Sequence, residues 1–380
     1  VTGPERPTPG LPEVCGHDEL LARVRAAVQG ARMPQSLLLY GPEGVGKRTV
    51  ALWTAALLHC GAENPPCGTC RACRMAARLE HPDIHYHFPM SRPRKAGSRR
   101  KLREALETQR QQRLAALRED PDSPPEEDGV TGIYLGAVEN LREQATRRPA
   151  MGRVAVFIVA EADRMVSQSA SPEAANAFLK LLEEPPEFAY LILTTSRPAA
   201  LLPTICSRTA HVRLAPLAET EVARHLEARR ELSPERARAV ARRADGSIGR
   251  ALRILGGDGD EAGAAADRLL AAALRGDAAL RYRVAGEFTA SGARSVLAPA
   301  LERLEERLRD LLCLAAGVPA LARDPAALSR IPEDQVPQQD RVLEGFSVLE
   351  RALDGAARNL NPQATVSVLM RDLSRAFAAG

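Results

Sequence analysis

The chain has 380 residues, 45% hydrophobic but only 3% aromatic, with a formal net charge of +4. That length exceeds one simple core and favours two or three domains, and plentiful Ala, Leu and Arg argue against sandwiches and barrels and for helices around one sheet. The mild charge permits contact with nucleic acid without arguing for it, and no run approaches the about 18 consecutive apolar residues of a membrane span, so a soluble, cytoplasmic protein with no membrane partner is expected.

Residues 1–13 are Pro-rich, read as a flexible lead, and lack the apolar core of a signal peptide. Val at position 1 in place of Met points to processing or to a non-AUG start codon translated literally. Leu20, Leu21, Val24 and Val28 lie at helical spacing and predict a helix from Pro12 to Met33. Ser36–Tyr40 is a short apolar run suited to a buried parallel strand, and Thr49–Leu58 reads as the helix after it.

Between that strand and that helix stands GPEGVGKRT, Gly41–Thr49. Its order of strand, glycine turn and helix is that of a phosphate-binding P-loop, in which glycines turn backbone N–H groups toward phosphate oxygens and the helix N-terminus adds partial positive charge. Gly41, Gly44, Gly46 and Lys47 fit the nucleotide-binding role. Arg48 stands where the motif needs a hydroxyl for Mg²⁺, and Thr49, one residue late, would point about 100° away on a helix. The loop therefore reads as a degenerate nucleotide site.

Cys60, Cys67, Cys70 and Cys73 follow at C-x6-C-x2-C-x2-C spacing, with Pro65, Pro66 and Gly68 making the turns. Four thiolates make a closed tetrahedral zinc site, and a C-x2-C pair lets one turn present two sulfurs to one metal. An iron–sulfur cluster also takes four thiolates, but its common runs are spaced differently. Zn²⁺ with a structural role is the expectation, since no coordination position is left for water. Cys15, Cys206 and Cys313 are scattered, so a disulfide framework is not indicated.

A helix is predicted for Met75–Glu80 and a strand for His81–Pro89, where Ile84, Tyr86 and Phe88 alternate. Residues 91–129 look least globular: an Arg- and Lys-rich run from Arg92 to Arg118, then an acidic, Pro-containing stretch, read as an inserted, partly disordered excursion with one polar helix. The basic run has no aromatic residues to stack bases and reads as a solvated insertion rather than a DNA site. Val138–Thr146 should be a helix, Val154–Val159 a central strand, Pro172–Glu184 a helix stopped by Pro185-Pro186, and Tyr190–Thr195 a further strand. After Arg213 the pattern is helical throughout, with breaks near Pro216, Gly246, Gly256, Gly292 and Asp324. Leucines at 297, 301, 304, 308 and 311, and Val366, Val368, Leu369 and Leu373, form stripes read as helical core or subunit-packing surface. Alternating strands and helices followed by helices alone imply a parallel α/β domain with helical domains behind it.

In P-loop ATPases the strand corresponding to Val154–Val159 ends in Asp-Glu, the Asp holding Mg²⁺ and the Glu polarising water. Here that pair is Ala160-Glu161. With Arg48, this removes both protein contacts to Mg²⁺. Glu161 reads as a relic or a structural acid near a helix start.

Three further segments carry a family likeness: Ala175–Pro186 (ANAFLKLLEEPP), Thr194–Pro198 (TTSRP) and Thr204–Arg208 (TICSR). With the cysteine quartet just after the P-loop helix, they resemble subunits of the bacterial DNA polymerase III clamp loader, over roughly residues 12–256. The resemblance implies an AAA+ P-loop domain over 1–213 with a zinc module at 60–73 and the insertion at 91–129. A helical lid over 214–257 and an all-α collar for oligomerisation over 258–380 would follow. Within the family, the gamma/tau motor subunits hydrolyse ATP, while delta-prime generally lacks working hydrolytic residues. This chain sides with delta-prime at Arg48, at Ala160 and at Gly249, where motor subunits carry an arginine after Gly-Ser-x as a second phosphate sensor. Arg250 is displaced by one residue.

The resemblance also implies that Ser207-Arg208 reaches into a neighbouring subunit's nucleotide site, with Arg208 as an arginine finger in trans. Thr209 stands where the family commonly has Cys, and Thr194 or Thr195 where it has its first sensor, with packing as the task expected here. The implied function is a ring member of the polymerase holoenzyme without intrinsic ATPase activity, although Lys47 leaves room for residual ATP or phosphate binding. Its partners would be the gamma/tau and delta subunits and, through the complex, the sliding clamp and primer–template DNA. A divergent gamma/tau-type ATPase and a free-standing zinc-dependent nucleic-acid binder are the alternatives.

Overall fold

The computed structural model describes residues 10–93, 98–119, 131–165, 173–256, 261–289, 293–324, 331–357 and 360–378. It divides into two compact units, the first formed by residues up to Glu231 together with Gly246–Gly249, the second by Leu232–Asp245 and the residues from Arg250 onward.

In the first unit the described strands are β1 (Ser36–Tyr40), β2 (Ile84–His87), β3 (Met90–Ser91), β4 (Thr131–Gly132), β5 (Ala155–Val159), β6 (Ala189–Thr195) and β7 (Ala210–Arg213). Five form one parallel sheet in the order β2-β5-β6-β1-β7, and β3 and β4 pair antiparallel. The central strands are unbroken apolar runs because helices cover both faces, and Leu38, Phe157, Leu191 and Leu193 are wholly buried. The helices of this unit are α1 (Asp18–Gln29), α2 (Lys47–His59), α3 (Arg71–Ala77), α4 (Arg99–Glu119), α5 (Leu135–Ala145), α6 (Glu173–Glu183), α7 (Pro203–Cys206) and α8 (Glu219–Arg230). The expected class, a parallel α/β domain followed by helices, is what the chain adopts.

Several elements differ from the sequence reading. The helix expected from Pro12 begins only at Asp18, because Gly16 and His17 both take left-handed backbone (φ 63° and 59°) and turn the chain first. The strand expected over 81–89 is confined to Ile84–His87. Helix α4 is not the polar excursion expected: its 21 residues bury Leu106, Leu114 and Leu117, and it packs on α5. Its arginines are largely neutralised, since Arg99 and Arg103 pair with Glu139 and Glu143, Arg100 with Glu104, and Arg110 with Glu107. The parts of the insertion at 94–97 and 120–130, like the lead at 1–9, lie outside the described residues.

Strand β2 carries a group that links fold to pH. His85 stacks on Phe157 with ring centroids 4.6 Å apart, and burial, then the nearby Arg110, push its pKa from 6.5 down to about 4. The unfolded chain therefore binds a proton that the folded chain refuses. This contribution to stability is complete above about pH 6.5 and is lost as pH falls toward about 4. Thermal melts across that window should show a falling Tm, with a shallower fall in His85→Gln; identical slopes would refute the assignment.

The second unit holds α9 (Pro234–Ala244), α10 (Ile248–Gly256, beginning in the first unit), α11 (Glu261–Arg275), α12 (Ala278–Glu287), α13 (Ala293–Ala315), α14 (Gln339–Ala357) and α15 (Pro362–Ala378). Helix α9 starts on Ser233, whose hydroxyl accepts from the Arg236 N–H, with Pro234 at the first helical position. Leu297, Leu301, Leu304, Leu308 and Leu311 of α13 and Val366, Leu369 and Leu373 of α15 are core. Val368, counted in the same stripe, is 49% exposed, being one residue off the buried face. Ion pairs from Arg250 to Glu306, Arg243 to Asp324 and Arg323 to Asp245 stitch α9 and α10 to this helical unit. Among the described residues no helix is long and apolar enough to cross a membrane.

Candidate functional site

The glycine loop leaves β1 and enters α2 as its sequence dictates. Gly41, Gly44 and Gly46 all have positive φ (153°, 73° and 100°), and a Cβ on Gly41 would stand 2.1 Å from the Leu214 carbonyl oxygen, so glycine is required there. Lys47, however, is turned inward. Its ammonium donates to the carbonyls of Gly41 (2.8 Å) and Pro42 (2.6 Å) and to Ser196 Oγ (2.8 Å). Burial brings its pKa down to about 8 against the opposing pull of Glu43, Glu161 and Asp163.

Arg48 swings its guanidinium over the Tyr86 ring, 5.3 Å from the centroid, a cation–π contact that turns this position toward β2. Thr49 lies one residue further along α2. The first residues of α10 close on the loop: Gly249 donates its N–H to the Gly44 carbonyl at 3.0 Å, and a Cβ at Gly249 would lie 2.9 Å from Gly44 Cα. No side chain fits at 249 without moving the loop.

At the tip of β5, Ala160 supplies no carboxylate. Glu161 takes a left-handed conformation (φ 49°) and pairs with Arg164 at 2.7 Å. The structure draws in an acid that sequence reasoning passed over. Asp163 is 3% exposed and accepts from Thr195 Oγ1 (2.6 Å) and from the Arg197 guanidinium (3.0 and 3.2 Å). A buried carboxylate is tolerated only with such partners, and the signal available was its place four residues past the end of an apolar strand. Thr194 accepts from the Glu161 N–H at 3.3 Å, so both threonines hydrogen-bond strand tips together rather than only pack.

Ser207 and Arg208 follow α7 and precede β7, the edge strand beside β1. Arg208 pairs with Glu183 on α6 at 2.9 Å and donates to Thr204 O (3.1 Å) and Ser207 Oγ (3.3 Å). Ser207 in turn donates to Thr204 O. The guanidinium is 37% exposed. It shares no partner with Lys47, so these two predicted site residues are not brought together within the chain.

The four cysteines are brought together. The Sγ atoms of Cys60, Cys67, Cys70 and Cys73 all lie within 4.8 Å of one another, close to the about 3.8 Å between sulfurs that a tetrahedral ion at about 2.3 Å implies. Backbone N–H groups aim at the sulfurs: Cys67 N at Cys60 Sγ (3.4 Å), Cys70 N at Cys67 Sγ (3.3 Å), Cys73 N at Cys70 Sγ (3.5 Å). The donors from Cys70 and Thr69 pull the Cys67 thiol down to about 6, while burial raises that of Cys73. The donor set fits a metal ion. A second group, His59, His81 and Asp83, converges beside it, but Asp83 already accepts the N–H groups of Ala150, Met151 and Gly152 and so anchors that turn.

A glycine loop after a central parallel strand, a cysteine-cluster insertion and trailing helices define a parallel α/β protein with a P-loop-like turn. The family described as DNA polymerase III, delta subunit, matches residues 16–218, and the chain belongs to that family. Among relatives, DNA polymerase III subunit gamma/tau of Mycobacterium bovis is 31% identical over 202 residues, 52% of this chain and 27% of that protein. DNA polymerase III subunit delta' of Bacillus subtilis is 27% identical over 218 residues, 57% of this chain and 52% of that protein. The chain thus spans about half the length of one and about a quarter of the other. A gamma subunit-related protein of DNA polymerase III from Thermotoga maritima superposes with a TM-score of 0.41 at 16% identity, over 93% of this chain and 98% of that one. The resemblance to delta-prime and its gamma/tau relatives is borne out at the level of family.

Proposed function

We propose that the chain is a delta-prime-like clamp-loader subunit of DNA polymerase III that does not hydrolyse ATP and completes a neighbour's ATPase site with Arg208. One observation carries the first half. The α10 N-terminus, where the motor subunits' arginine would reach phosphate, instead hydrogen-bonds the loop at Gly44 through a residue with no side chain. The inward Lys47, the diverted Arg48 and the missing carboxylate at Ala160 point the same way.

Arg208 is exposed, its ion pair with Glu183 is open to solvent, and a guanidinium can bind two phosphate oxygens at once. Delivered to a neighbour, it would offset charge developing on the γ-phosphate, with Ser207 steadying the turn. Gamma/tau and delta subunits would be its ring partners, in the cytoplasm, with the sliding clamp and primer–template DNA engaged through the complex. We keep 1–213 as the ATPase-like domain, 214–257 as lid and 258–380 as collar. Zn²⁺ on the four cysteines would supply a structural cross-link for residues 60–73.

Lys47→Ala in this chain should leave the ATP turnover of the reconstituted complex unchanged, and the isolated chain should show no Mg²⁺-dependent turnover. Robust hydrolysis by the isolated chain, abolished by Lys47→Ala, would instead establish the gamma/tau-type motor.

A further inference from the structure

Helix α3 carries Arg71 and Arg74, and Arg78 follows in the next turn, at spacings of three and four that place them on one face. All three are exposed. With Met75 and Glu80 they line a surface hollow of about 310 Å³. Among the described residues none of the three forms an ion pair, in contrast to Arg99, Arg100, Arg103 and Arg110 of α4, which are matched to glutamates. Arg118 adds a cation at the end of α3, where its guanidinium donates to Leu79 O at 2.7 Å.

Like charges one turn apart on a helix repel, and among the residues lining the hollow Glu80 is the one acid. The helix beneath is held firmly. Cys70 caps it, Cys73 and Ala76 are fully buried, and it packs on α2. The three guanidinium groups are therefore presented from a fixed backbone, an arrangement suited to an extended polyanion rather than to a single counter-ion.

We propose that this arginine face of α3 docks the phosphate backbone of duplex DNA without regard to sequence. The seven steps from Arg71 to Arg78 span about 10 Å, over which a duplex offers about six phosphate charges. Arginine grips phosphate oxygens in pairs. No aromatic side chain lines the hollow, so the base stacking on which single-strand binders rely is missing. Within the basic run at 92–118, which looks like the stronger nucleic-acid signal in the sequence, Arg99, Arg100, Arg103 and Arg110 are neutralised by glutamates of α4 and α5.

The test uses the full-length, zinc-loaded chain alone, so it succeeds or fails independently of ring assembly and of Arg208. Binding to a mixed-sequence duplex of about 30 base pairs is measured between about 50 and 200 mM salt; three phosphate contacts should contribute about −2.7 to the slope of log K against log salt. Arg71→Gln/Arg74→Gln/Arg78→Gln should flatten the slope by that amount with zinc content and circular dichroism unchanged. The triple Lys variant should keep it. A single strand of equal length should bind more weakly. An unaltered slope in the Gln variant, a Lys variant as impaired as the Gln one, preference for the single strand, or displacement of the duplex by an acidic peptide at equal charge would each overturn the proposal.

Discussion

Arg208→Ala is expected to lower ATP turnover at the neighbouring site about a thousand-fold or more, the scale of arginine fingers supplied in trans. Folding and assembly should be untouched: the ion pair it breaks, with Glu183, is half-exposed on both sides, and such pairs are worth about 0–1 kcal/mol. Single-turnover hydrolysis in a complex where only that neighbour's site is competent measures it. Arg208→Lys should recover little, because an ammonium cannot hold two oxygens in a planar fork. Glu183→Gln removes the same ion pair while keeping the guanidinium, and should retain most of the turnover. If it reproduces the Arg208→Ala loss, the ion pair and not the finger is what matters; unchanged turnover in Arg208→Ala removes the finger altogether.

Cys70→Ser has the second large effect. Cys70 is at once a member of the quartet and the cap of α3, its sulfur accepting the Cys73 N–H. Structural zinc in small finger peptides supplies on the order of 10–16 kcal/mol of apparent binding free energy that is also folding free energy, so its loss should unfold residues 60–77 locally. Metal analysis should fall from about one equivalent per chain to near none, and limited proteolysis should open a new site between Cys60 and Cys70. The sheet should survive, since β1, β5 and β6 bury their own core. Cys313→Ser, outside the quartet, is the control. Retention of all zinc by a Cys67→Ser/Cys70→Ser double variant would refute the site.

Much of the fold is legible in the sequence wherever one local rule suffices. Ser36–Tyr40 is the strand its apolar run predicts, and the quartet converges because C-x2-C turns can do little else with two sulfurs. The misreadings fall where local patterning and tertiary context disagree. Helix α4 reads as polar because arginines outnumber leucines, yet Leu106, Leu114 and Leu117 are buried and Arg99 and Arg103 find glutamates on α5. Asp163 was passed over because its partners, Thr195 and Arg197, lie at and just beyond the end of β6, about thirty residues away.

By itself the sequence determined the class of protein: a strand, a glycine loop and a helix in P-loop order, with Arg48, Ala160 and Gly249 standing where the ATPase pattern has a hydroxyl, a carboxylate and an arginine. Those are properties of side chains present or absent, and no folding is required to count them. Only the tertiary structure decided what became of the charges left over. Lys47 is satisfied by two loop carbonyls and by Ser196, Arg250 by Glu306, and Arg99 and Arg103 of α4 by glutamates of α5, while Arg71, Arg74 and Arg78 form no ion pair among the described residues. The reason is physical. A charge takes its meaning from what lies within a few ångströms of it in a medium that screens poorly, and those neighbours come from anywhere in the chain.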